Sequence, residues 1–99
     1  MPAAVLDAVD SFGIPVRMAI IGALRGSPPL SRSEIARALE VDVHTVYPNL
    51  LALEELGVIA REHESVSRGQ RNGYLLNPER VKELLDAIRL FAGGGTSRT

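Results

Sequence analysis

The side chains that ordinarily carry chemistry are sparse in this sequence and poorly spaced for it. His44 and His63 stand singly, with no second ligand at helical or hairpin spacing, so no zinc or other metal site is expected. Cysteine is absent from all 99 residues, which removes thiolate ligands, disulfides and cysteine nucleophiles together and suits a reducing cytoplasm. Glu54-Glu55 and Glu62-x-Glu64 read as solvated faces, not as acid–base pairs. No glycine-rich phosphate loop follows a strand pattern, and no nucleophile–base arrangement stands out. The sequence predicts neither an enzyme nor a cofactor.

What it offers instead is recognition chemistry. From Ala38 to Ala60 there is no lysine or arginine, yet His44, Thr45, Tyr47 and Asn49 fall close together. These are groups that read base edges in a major groove: asparagine pairs bidentately with adenine, threonine offers a hydroxyl or methyl, and histidine donates to guanine. The stretch Ser67-Arg68-Gly69-Gln70-Arg71-Asn72-Gly73 holds two arginines and no acid. Arginine in such a loop favours the negative potential of a narrow minor groove. Arg32 and Ser33 open another segment, where a helix N-terminus can hold a phosphate. The plainer alternatives are solvated polar residues on a helix, a hairpin turn built on Asn72-Gly73, and ordinary capping. If Arg32, Arg68 and Arg71 each neutralise one phosphate per subunit, a dimer covers about six, and log K falls against log salt with a slope of about −5.

These groups need elements to position them. Ala3 to Phe12 carries Val5, Leu6, Val9 and Phe12 at helical spacing, and Gly13 breaks it. Pro15 suits the first position of a second helix reaching about Leu24; Gly26-Ser27-Pro28-Pro29 then makes a turn. Ser31-Arg32-Ser33-Glu34 is a capping box opening a short helix that ends near Glu40. Asp42 caps the next helix, Val43 to Leu56, closed by Gly57. Pro48 falls inside it, either loosening the first turn so that His44 and Thr45 are re-aimed, or marking a later start after a 3₁₀ turn. Val58 to Val66 reads as a strand, Ser67 to Gly73 as a turn and Tyr74 to Leu76 as the returning strand. Asn77 and Pro78 begin a last helix with Val81, Leu84, Leu85, Ile88 and Phe91 on its apolar face.

Two helices joined by about three residues are a helix-turn-helix arrangement. With the hairpin behind them, the chain is mainly α with a small β-hairpin wing: a winged helix-turn-helix with flanking N- and C-terminal dimerisation helices. The domain is expected over residues 1–92, with residues 93–99, rich in glycine, as a disordered tail. The recognition helix is expected at about 43–56, in the major groove, and the wing at 67–73, at the minor groove or backbone.

The run from Thr45-Val46-Tyr47-Pro48 through Leu50-Leu51-Ala52-Leu53-Glu54-Glu55-Leu56-Gly57-Val58 resembles the recognition helix of PadR-type transcriptional regulators. In that family a T-hydrophobic-Y-P run precedes an L-x-x-L-E-x-x-G-hydrophobic run. Residues 16–57 also resemble the ArsR group of winged-helix repressors, and the two likenesses together cover about residues 16–92. The resemblance implies a dimeric, sequence-specific DNA-binding repressor. The cysteine-bearing metal motif of ArsR-type sensors has no counterpart here, so no effector is carried over.

Composition agrees with association. Hydrophobic residues make up 45% of the chain and mean hydropathy is +0.09, more apolar surface than one small core hides. The outer faces Val5, Leu6, Val9, Phe12 and Leu84, Leu85, Ile88, Phe91 are expected to form a two-fold homodimer interface. A palindromic double-stranded DNA site follows from that symmetry. Net charge is −1, but residues 1–60 carry four arginines against seven acids, whereas residues 61–82 carry five basic groups against three glutamates. The longest apolar run, Met18 to Leu24, is seven residues, against roughly 20 for a membrane helix. No basic n-region precedes Arg17, so no signal peptide is expected and the protein is expected to be cytoplasmic. Two further readings stay open: a protein-interaction or assembly module, and a plasmid or phage partition-type DNA binder.

Overall fold

The punctuation of the sequence becomes the element boundaries. A computed structural model describes residues 1–62 and 73–93. Helix α1 (Ala3–Phe12) stops at Gly13, and α2 (Pro15–Leu24) starts with proline in its first turn, where the missing N–H costs nothing. Helices α3 (Arg32–Leu39) and α4 (Val43–Glu55) follow. Between them Glu40 takes a left-handed φ of 60° and donates its N–H to the carbonyls of Ala36 and Arg37, which turns the chain sharply. Gly57, at φ 80°, does the same after α4, a conformation that glycine adopts without a Cβ penalty.

Strands β1 (Ile59–Glu62) and β2 (Gly73–Leu76) pair antiparallel, Ile59 opposite Leu76 and Glu62 opposite Gly73. Leu30 adds an antiparallel bridge to Tyr74, exchanging both backbone hydrogen bonds with it at 2.8 and 3.2 Å. Helix α5 (Pro78–Ile88) is capped by the Asn77 side chain and runs into a π-helical turn, Arg89–Gly93. The expected fold class is therefore the observed one. The segments 63–72 and 94–99, with His63, Arg68, Gln70, Arg71 and all but the first residue of the expected tail, lie outside the described residues.

Gly73 was expected in the turn and instead opens β2. Its backbone passes so close to Pro29 that an added Cβ would sit 2.5 Å from the proline Cβ. Gly73→Ala should therefore push the segment before α3 off the sheet. A loss of about 1–3 kcal/mol is expected, as for other overpacked sites, read as a lower denaturant midpoint with an unchanged slope.

Ile20, Leu24, Ile35, Val46, Leu50, Leu53, Val58 and Leu84 form the centre of the core, none more than 2% exposed. α1 packs along α5 within the monomer, and this divides the expected dimer residues. Val5 and Leu84 are buried in their own protomer and cannot serve as interface; the pairing of the two outer helices consumes them. Phe12 and Ile88 are half-buried against the core. Leu6, Val9, Leu85 and Phe91 remain outside, each about half exposed, together with Leu90.

Arg80 locks these layers together. Its guanidinium donates to Asp7 of α1 at 2.7 Å, to the Leu56 carbonyl at the end of α4 at 3.0 Å, and reaches Glu83 at 3.1 Å. Three elements converge on one side chain whose planar fork can serve several acceptors at once.

Candidate nucleic-acid interface

The helix-turn-helix begins with a complete capping box. Ser31 Oγ accepts the Glu34 N–H at 3.1 Å and Glu34 Oε1 accepts the Ser31 N–H at 2.8 Å, an arrangement worth about 1 kcal/mol. The cap fixes the first turn of α3 and with it Arg32 and Ser33, both exposed. Arg32 lies over the ring of Tyr47, with its guanidinium carbon 4.4 Å from the ring centroid. A cation–π contact of this kind holds both planar groups in place and leaves the edge N–H donors of the guanidinium for other acceptors.

Asp42 caps α4, accepting the His44 N–H at 2.8 Å. His44, Thr45 and Tyr47 are exposed along the first turns, and His44 Nδ1 stands 3.4 Å from the Asp42 carboxylate. Asn49 departs from expectation. Its Oδ1 accepts from Arg17 Nε at 2.8 Å and its Nδ2 donates to the Thr45 carbonyl at 2.9 Å. Each half of the amide thus makes one hydrogen bond within the protein, so a bidentate adenine contact would have to use the second acceptor and donor sites that remain on it. Arg17 also donates to the Asp10 carbonyl at 3.0 Å, so Asn49 ties α4 to α2 and the end of α1.

Pro48 sits inside a continuous helix that already begins at Val43, so the later-start account does not hold. The first turn is tightened, with the Asp42 carbonyl accepting from Thr45 at 2.9 Å and from Val46 at 3.2 Å. Proline removes the N–H that would meet the His44 carbonyl. Pro48→Ala restores it and should stabilise the fold by about 1–3 kcal/mol, seen as a higher melting temperature.

Beside Tyr47 two clefts open. One, of about 460 Å³, runs over Val43, His44 and Pro48. The other, of about 560 Å³, lies between α3 and the sheet and is lined by Ser31, Arg32, Ser33, Glu34, Arg37, Tyr47, Arg61 and Tyr74. Arg32, Ser33 and Tyr47 border both, so the two form one continuous concave surface. Arg61 Nη2 donates to Glu54 Oε1 at 3.1 Å, and its guanidinium carbon stands 5.6 Å from the Tyr74 ring centroid. The Glu54 hydrogen bond, and after it the Tyr74 charge interaction, push the Arg61 pKa further up. Burial raises the Tyr74 phenol, with Arg61 opposing; the group stays a neutral donor at physiological pH. Arg37, Arg61 and Tyr74 were not singled out from sequence. The available signal was strand alternation, which puts Arg61 on the same face as buried Ile59.

Among the described residues no group of three His, Asp or Glu side chains is placed to hold a metal, and no helix is long and apolar enough to cross a membrane.

A capped α3, a sharp turn, an exposed α4 and an antiparallel hairpin behind it define a winged helix-turn-helix protein. A family model described as a helix-turn-helix domain matches residues 13–62, half of the chain, and the protein belongs to that family. Among solved structures, an ArsR-like transcriptional regulator from Rhodococcus sp. RHA1 is similar at TM-score 0.71 and 19% identity, over 90% of this chain and 79% of that one. A homodimeric winged helix-turn-helix DNA-binding domain from Mycobacterium bovis, a possible ArsR-family regulator, is similar at 0.66 and 18%, over 96% and 88%. The MepR–DNA complex of S. aureus is similar at 0.62 and 22%, over 89% and 73%. A comparison with curated proteins gives no match. Of the two sequence resemblances, the ArsR type is the one these folds support; PadR-type regulators are a different family.

Proposed function

We propose that this chain is a homodimeric, sequence-specific binder of double-stranded DNA that represses transcription in the cytoplasm by occupying an operator. The observation that carries the reading is the Arg32–Tyr47 stack, which joins the capped start of α3 to the exposed His44 and Thr45 of α4. In this reading α4 enters the major groove, with His44, Thr45 and Tyr47 at base edges. Arg32 and Ser33 hold a backbone phosphate, and the wing residues Arg68, Gln70 and Arg71 meet the minor groove and backbone. Asn49 supports α4 from behind.

The domain is assigned to residues 1–92. Leu6, Val9, Leu85 and Phe91, flanked by Phe12 and Ile88, form the two-fold interface. A two-fold dimer sets its recognition helices about 34–36 Å apart and requires a palindromic site. The DNA-bound MepR structure and the homodimeric M. bovis domain support the reading through a shared fold.

Selection of bound duplexes from a random library tests it. Enrichment of a palindrome with half-sites one helical turn apart is the expected result. A second reading, a protein-interaction module, is favoured by Leu51, 42% exposed on α4, and by the lack of any cation on that helix. Failure to bind any duplex at low salt would decide for it.

A further inference from the structure

The cleft between α3 and the sheet does more than border the reading face. We propose that Arg37 and Arg61 form a second seat for a DNA backbone phosphate, beyond the one at Arg32; this rests on the DNA-binding reading above. Three guanidiniums, Arg32, Arg37 and Arg61, and one carboxylate, Glu34, line one open cleft, with Glu54 paired to Arg61, an excess of positive charge in a chain whose net charge is −1. The Glu34 carboxylate accepts from Ser31 within the capping box, and Glu54 takes Nη2 of Arg61.

The second observation is an unmet donor. Arg61 Nε is enclosed and has no hydrogen-bond partner among the described residues, a cost to the fold that a phosphate would relieve once the Arg61 side chain turns toward the cleft. Strand pairing holds Arg61 opposite Tyr74, whose phenol lines the same cleft and stays protonated. A phosphodiester oxygen meets there a planar fork, a second guanidinium and hydroxyl donors, the set that suits a tetrahedral oxyanion. Because Arg32, Ser33 and Tyr47 also line the cleft over His44, the strand flanking the groove entered by α4 passes the mouth of this one. That continuity favours the DNA backbone over a free phosphate as the source.

Counting this seat raises the dimer's neutralised phosphates from about six to about eight, and the salt slope of binding from about −5 to about −7. The test is anisotropy titration of a labelled duplex across a salt series with the full chain. Arg37→Ala and Arg61→Ala should each flatten the slope by about 2; Arg25→Ala, a cation on the far groove beside α5, should leave it unchanged. Arg37 is exposed, so its variant reports even if Arg61→Ala unfolds. Wild-type slopes in both variants overturn the second seat while the DNA reading stands. No duplex binding by the wild type overturns both. If inorganic phosphate then perturbs the Arg61 and Arg37 side-chain resonances without any duplex binding, the source is a free oxyanion and the DNA assignment fails.

Discussion

On the proposed function, Arg68→Ala combined with Arg71→Ala should weaken duplex binding by roughly three to four orders of magnitude at about 0.1 M salt. Four phosphate contacts per proposed dimer would be lost, each contributing about 0.9 of a decade in affinity at that salt relative to 1 M. The loss must shrink as salt rises, because what is removed is counterion release and not a base contact. It must also fall equally on specific and random duplexes. A pair of titrations, one on each duplex, checks both features. A loss confined to the preferred sequence would mean that these arginines read bases.

Leu84→Ala is expected to lower stability by about 3 kcal/mol, the usual result of emptying a fully buried leucine site. For a chain of this size that corresponds to a fall of about 10–25 °C in melting temperature, a large share of a typical total of about 5–15 kcal/mol. Leu84 is fully buried, whereas Leu85, its neighbour in sequence, is 49% exposed. Leu85→Asp should leave the protomer's own packing intact and act through association alone. The two variants therefore separate by concentration dependence. The Leu84 loss should persist at every protein concentration in thermal melts, and the Leu85 variant should sediment as a monomer on the proposed interface.

That contrast also marks where sequence reasoning stops. Helix boundaries were legible because they are set locally: Gly13 and Pro15, the Ser31–Glu34 box, and the Asp42 and Asn77 caps act within a turn of themselves. The direction in which an apolar stripe points is not local. Leu84 and Leu85 lie about 100° apart around a helix, and only the packing of α1 on α5 decides which is enclosed. The engagement of Asn49 by Arg17 joins residues far apart in the chain, and the bridge from Leu30 to Tyr74 does the same. Gly73 read as a turn residue because glycine suits turns, yet what requires glycine there is the nearness of Pro29.

Asn49's double commitment has a consequence for the target. With that amide held on the scaffold and no lysine or arginine on α4, each protomer of the proposed dimer would bring three side chains, His44, Thr45 and Tyr47, to bear on the letters of its half-site. At about 1–3 kcal/mol for each mismatched pair, such a reader would tolerate spelling variation and discriminate instead by the separation of the two halves and by how readily the intervening duplex bends. Its genomic targets would then share a common geometry more strongly than a common word.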